Sequence, residues 1–284
     1  MIIHPIHTGN FKLDGGAMFG VVPKSLWQRT NPADERNMCS WSLRCMLIET
    51  NNRLILIDTG IGNKQSEKFY SYYFLFGSTS LDSELKRLGY ERDDITDVFL
   101  THLHFDHCGG AIERRSSDGM LVPAFKNAKF YSNKNHWKWA TEPNPREKAS
   151  FLKENIQPIQ ESGQLEMIGR SGNDRTPWIE GIELFFADGH TESQMIPILN
   201  YKGQKLAFMA DLLPSTGHIP LPYLMGYDTR PLLTLDEKSR FLSWAADEDV
   251  VLFLEHDFES ECCTVQHTEK GVRLKNKGAL SDFF

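Results

Sequence analysis

The chain has 284 residues, 40% of them hydrophobic and 24% charged, the balance of an ordinary globular protein with enough material for a substantial core. A formal net charge of −7 offers no electrostatic footprint for nucleic acid or an anionic membrane, and no apolar run reaches membrane-spanning length. No basic segment followed by a long apolar stretch opens the chain, so a signal peptide is not expected; five scattered cysteines fit a reducing cytoplasm better than a disulfide framework.

His4 and His7 fall in an expected first strand and read as structural. Residues 41–48 and 53–58 form a predicted strand pair around the turn Asn51-Asn52. The aromatic run from Phe69 to Phe76 suits core packing or a homodimer interface; an acyl-chain groove or a lid is the functional alternative. Leu81, Leu85 and Leu88 have helical spacing, and Gly89 suits the stop. Val98-Phe99-Leu100 reads as a buried strand. Helices are expected over 133–140 and 146–156, separated by Pro143 and Pro145. His136, beside Trp137 and Trp139, reads as a packing or surface residue. Strands follow at 182–186, 195–199 and 206–209, then a helix at 235–246 and a last buried strand at 250–254. His267 and the Cys262-Cys263 pair lie in a polar tail, a poor zinc site without further ligands. With no repeat and no long linker, one domain over 1–284 is expected.

His102-Leu103-His104-Phe105-Asp106-His107 directly follows the strand at 98–100 and concentrates metal-binding side chains. Residues two apart on an extended chain point the same way, so His102 and His104 can close on one ion. If the chain then turns, Asp106 and His107 face a second position. Imidazole and carboxylate are the donors of a hydrolytic metal site. Three further candidates each follow an apolar run by a few residues: His190, Asp211 and His256. Strand ends converge on one rim of a sheet. The sets then read as His102, His104 and His190 for one ion, Asp106, His107 and His256 for the other, with Asp211 bridging. Cys108 is expected to pack behind the cluster.

Asp58-Thr59-Gly60, the 101–107 cluster, Gly189-His190-Thr191, Ala210-Asp211 and Glu255-His256-Asp257 stand in the order of the metallo-β-lactamase-fold hydrolases, and over nearly its whole length the chain resembles that superfamily. The resemblance implies an α/β (α+β) fold, a four-layer αββα sandwich of two face-to-face sheets with helices outside, and a binuclear metal centre. Zinc is the expected metal, and the same ligands accept iron, manganese or cobalt. Asp58 resembles the carboxylate that holds a ligand histidine in the right tautomer. Two divalent ions carry more positive charge than Asp106 and Asp211 return, which favours hydroxide over water between the metals. The expected reaction is attack of that hydroxide on an ester-like bond, with Asp106 carrying the proton to the leaving oxygen.

The segment from Asp14 to Lys24, Ala210-Asp211-Leu212-Leu213-Pro214, and Tyr227-Asp228 resemble the quorum-quenching lactonase branch, which opens N-acyl-homoserine lactones. A small-molecule lactone or ester is therefore the expected substrate. Pro214 stands where some of those lactonases have a substrate-binding tyrosine; His218, Tyr223 or Tyr227 are the replacement donors, and Phe19 a further substrate contact. A phosphotriesterase or arylesterase on the same metals is the alternative, and a non-catalytic ligand-binding relative a more distant one. RNA processing lacks a basic stripe. A flavodiiron role needs an electron-carrier domain, for which no room is expected after His256.

Overall fold

In the computed structural model, which describes residues 1–172 and 175–284, strand Met38–Thr50 turns at Asn51-Asn52 into strand Arg53–Ile57, with Thr50 opposite Arg53 and Met46 opposite Ile57. Asn51 adopts a left-handed backbone (φ 46°), the conformation that a two-residue hairpin needs and that asparagine tolerates. The chain divides into two compact units, Met1–Gly9 with Leu43–Arg170 and Asn10–Ser42 with Ser171–Phe284.

The first unit is organised by a sheet ordered Ile2–Asp14, Met38–Thr50, Arg53–Ile57, Asp97–Phe99, Lys129–Asn133, Leu165–Ile168, the first two strands running on into the second unit. From Arg53–Ile57 onward the pairing is parallel, in register Ile57, Phe99 and Tyr131. Parallel register aligns carboxyl ends, so the residues that follow Ile57 and Phe99 emerge side by side. Helix Leu81–Arg87 starts at a reciprocal cap between Ser80 and Ser83, with acids in its first turn and bases in its last. Its Leu81 and Leu85 join a core of Leu47, Leu56, Val98 and Phe130.

The second unit carries a sheet ordered Gly271–Gly278, Cys262–Thr268, Val251–Phe253, Gln204–Phe208, Gln194–Tyr201, Ile182–Ala187, Arg175–Ile179. All its pairs are antiparallel except Gln204–Phe208 with Val251–Phe253, where Phe208 lies opposite Phe253. Two antiparallel steps return Ile182–Ala187 to the direction of Gln204–Phe208. The carboxyl ends of all three strands therefore face one edge, three residues before His190, Asp211 and His256 respectively. Helix Pro231–Asp247 begins with proline at its first turn, where the missing N–H costs nothing.

Several sequence expectations are corrected. The helix placed at 146–156 is observed at Lys153–Glu161; before it, Asn144 Oδ1 accepts the N–H groups of Arg146 and Glu147, and this side-chain turn competes with helix. The polar tail is two strands, Cys262–Thr268 and Gly271–Gly278, with Cys262 and Cys263 buried; its edge position explains the charged sequence. The aromatic run is not core: Tyr72, Phe74, Leu75 and Phe76 are exposed, while Phe69 and Tyr73 pack against Phe105 and the Tyr70 hydroxyl donates to Gly62 O. No disulfide forms among the described residues, and no helix there is long and apolar enough to cross a membrane.

Candidate metal centre

In the first unit, parallel register fixes the cluster before any ligand chemistry begins. Asp58 N donates to Phe99 O (2.9 Å), which sets the Asp58 carboxylate beside Thr101. Asp58 Oδ1 accepts Thr101 N–H (2.8 Å), and Oδ2 accepts both Thr101 Oγ1–H (2.6 Å) and His107 Nδ1–H (3.1 Å). Thr101 Oγ1, having given its proton to Asp58, accepts Nδ1–H of His102 (3.1 Å). A short helix, Phe105–Cys108, supplies the turn that carries Asp106 and His107, their Oδ2 and Nε2 3.9 Å apart. Gly110 closes the turn against residues 59–60: its N–H bonds Gly60 O, and a Cβ there would meet Thr59 O at 2.2 Å. Cys108 packs behind, its thiol donating to Leu103 O; burial raises its pKa to about 12, an inert state.

Two residues outside the expected ligand set hold this cluster. Glu147 is buried; its Oε1 accepts from His104 Nε2 (3.3 Å), while Oε2 accepts from Trp139 Nε1 (2.6 Å) and Asn144 Nδ2 (2.8 Å). His136 Nε2 accepts the backbone N–H of Leu103 (2.8 Å), pinning the residue between His102 and His104. Neither is a motif position. The Asn-Pro-rich turn before Glu147 carried no metal signal.

In the second unit, His190 Nδ1 donates to Asp228 Oδ1 (3.0 Å), and Asp228 Oδ2 is fixed by Met225 N–H. His256 Nδ1 donates to the Ser42 carbonyl (2.9 Å). Asp211 lies between them, Oδ2 3.1 Å from His190 Nε2 and Oδ1 3.2 Å from His256 Nε2. The loop of His190 is anchored by Glu237, which accepts the N–H groups of Asp188 and Gly189 at 2.8 and 3.0 Å. Ala210 and Ser193 adopt left-handed backbones (φ 41° and 54°), as does Asp58 (φ 57°). Left-handed non-glycine residues beside ligand positions mark a backbone held by its surroundings.

These outer acceptors select one tautomer for each ring when it is neutral. An imidazole that donates through one nitrogen presents a lone pair on the other. His102 Nε2, His104 Nδ1, His107 Nε2, His190 Nε2 and His256 Nε2 are therefore all acceptors. Yet His102 Nε2 and His104 Nδ1 lie 3.1 Å apart, and the other two contacts set a lone pair against a carboxylate. Lone pairs at that distance repel unless a cation, a proton or a metal ion, lies between them. In the second unit a proton fills the same need when no metal does: burial alone would push His190 down, but Asp211 and Asp228 override it and raise the ring to about 10, so the two carboxylates demand a positive charge between them. A site that asks for a cation, lined by imidazole and carboxylate, fits a divalent metal.

The sequence pattern of the metallo-beta-lactamase superfamily matches residues 44–256. The chain belongs to the metallo-beta-lactamase superfamily. Its class is that of metal-dependent hydrolases, and it resembles the N-acyl homoserine lactonase branch. The N-acyl homoserine lactonase AiiA of Bacillus thuringiensis subsp. kurstaki is 27% identical over 243 residues, 81% of this chain and 86% of that protein. A probable metal-dependent hydrolase from Staphylococcus aureus superposes with TM-score 0.86 at 28% identity, covering 98% of this chain and 96% of that one. AidC, a dizinc quorum-quenching lactonase, shares the fold with TM-score 0.78 at 20% identity over 96% and 93% of the two chains.

In this metallo-beta-lactamase chain the candidate substrate residues of the second unit sit at different depths. His218 is buried between Ser215 Oγ on Nδ1 (2.8 Å) and Met18 O on Nε2 (2.9 Å), and burial lowers its pKa to about 3. Phe19 stacks on it at 4.3 Å, with Trp27 stacked on Phe19 at 5.2 Å. Tyr223 is half-buried at the edge of Phe19, and Tyr227 is exposed.

Proposed function

We propose that residues 1–284 work as one hydrolase domain that opens a lactone ring of the N-acyl-homoserine lactone type. His102, His104 and His190 would hold one divalent ion and Asp106, His107 and His256 the other, with Asp211 bridging. Zinc is the metal we expect, and iron, manganese or cobalt suit the same donors. A bound pair of ions supplies a water with its pKa lowered towards ~7 and polarises the carbonyl under attack.

The chain's own residues do the rest. Asp58, Glu147, Asp228 and the Ser42 carbonyl keep five imidazole lone pairs turned to the ions, Asp58 holding His107 directly and His102 through Thr101. His102 and His107 are fully buried, whereas Asp106 and Asp211 each retain slight exposure. Asp106 holds the proton released there and passes it to the leaving ring oxygen. Tyr223 and Tyr227 contact the substrate, with His218 and Phe19 supporting their segment from beneath. The exposed aromatics Tyr72, Phe74 and Phe76 contact the acyl chain, or serve a homodimer instead.

The observation that carries this reading is the set of close contacts, His102 to His104 and Asp211 to His190 and His256, in which basic atoms face one another. The lactone assignment is supported by the likeness to the Bacillus lactonases. Metal-loaded protein assayed in parallel with an N-acyl-homoserine lactone and an aryl phosphotriester tests it. Lactone opening should be favoured by orders of magnitude. The reverse preference replaces it with a phosphotriesterase or arylesterase, and inertness to both and to simple esters replaces it with a ligand-binding protein.

A further inference from the structure

A cavity of about 510 Å³ lies wholly within the second unit; it contains none of the proposed metal ligands and shares only Tyr223 with the proposed substrate contacts. That volume is in the range of small-molecule sites, ~300–1,000 Å³. Its apolar wall is formed by Leu26, Pro32, Ile219 and Leu274, of which Leu26 and Leu274 are exposed. Its polar wall holds three cations, Arg29, Arg273 and Lys277, and one acid, Glu259. Glu259 is committed to Lys277 (2.9 Å). Arg273 spends one N–H on Val272 O (2.7 Å), which leaves most of its guanidinium donors to the cavity. Arg29 has no side-chain bond or ion pair among the described residues. On a protein of net charge −7, one pocket thus collects two cations beyond its own acid.

We propose that this cavity binds an amphipathic organic anion, a carboxylate head on Arg29 and Arg273 with an apolar tail along Leu26, Ile219 and Leu274. Charge complementarity selects the head: guanidinium pairs carboxylate through two parallel bonds and is less strongly hydrated than an ammonium. The lining selects the tail, because a small hydrophilic anion would leave the leucines wet. The cavity wall also reaches the proposed metal ligands through one short path. Thr216, part of the wall, donates its N–H and Oγ1–H to Asp257 Oδ2 at 2.8 and 2.7 Å, and Asp257 adjoins His256. The inference does not depend on which ester the protein hydrolyses.

Isothermal titration of the metal-loaded protein with decanoate, decanol and acetate tests it. Decanoate should bind about tenfold or more tighter than decanol, and acetate not measurably. In Arg29→Ala/Arg273→Ala, decanoate affinity should fall by a similar factor while hydrolysis without decanoate is unchanged. Equal binding of decanoate and decanol would overturn the anionic head. Undiminished decanoate binding in the double variant would place the ligand elsewhere, on the metals included, and overturn the site. Failure of the hydrolytic reading would leave these titrations untouched, so the two are separable.

Discussion

The two halves of the proposed metal centre are built in opposite ways. The first unit takes its four ligands from one stretch, 102–107, so geometry comes from an extended segment followed by one helical turn. The second takes three ligands from three strand ends, 190, 211 and 256, that meet through the direction and register of a sheet. A local motif is robust to what surrounds it; a set assembled by register depends on the packing of every connecting loop. Yet both halves use one device, an outer acceptor that fixes each imidazole, supplied by Asp58 and Glu147 in one and Asp228 and Ser42 in the other.

The local half breaks most sharply at its carboxylate. Asp106→Asn should lower turnover by ~10²–10⁴-fold with little change in melting temperature; near-normal turnover of a metal-loaded variant would remove Asp106 from proton transfer. The shared device is sharpened by Asp58→Asn and Asp228→Asn, each expected to weaken metal binding by ~10–100-fold in competition with a chelator. Asp58 should be the worse loss, because it orients His107 directly and His102 through Thr101.

Packing is tested by Gly189→Ala in the second unit, where a Cβ would meet Thr234 N at 2.3 Å. It should destabilise by ~1–3 kcal/mol in denaturant titrations, against a near-neutral Gly169→Ala, whose Cβ meets nothing within 4 Å. In the first unit His136→Leu should cost a comparable ~1–3 kcal/mol by stranding the buried Leu103 N–H.

A pH-dependent effect concerns Glu237. Burial pushes its carboxyl from 4.5 up to about 7, against the pull of the Asp188 and Gly189 N–H groups. Between those values the folded chain holds a proton that the unfolded chain has lost. Stability from this group is therefore present below pH 4.5 and lost as pH rises towards 7. Glu237→Gln should flatten that dependence by up to ~1.4 kcal/mol per pH unit. An unchanged slope would show that the carboxylate stays charged on its two backbone donors.

Legibility followed the same division. The strand pair around Asn51-Asn52 and the helix Leu81–Arg87 were readable because turn and cap chemistry is local. Strands Lys129–Asn133 and Leu165–Ile168 were missed, being short and without clear alternation. Glu147 could not be found, since a glutamate in a Pro-rich turn looks like any surface acid until folding buries it beside His104. Of the readings the aromatic run allowed, the structure excludes only core, because apolar content implies a need for cover but does not name what provides it.

Residue order alone established the donor types, the tight spacing of His102 to His107, and the family whose pattern spans 44–256. Those are properties of chemistry along the chain, and they survive without coordinates. Tertiary structure alone decided which nitrogen of each histidine faces an outer acceptor, because those acceptors lie 38 to 214 residues away in sequence for His104, His107, His190 and His256. It also decided that Arg29, Arg273 and Leu26 share one cavity, since only packing brings distant segments to a common wall.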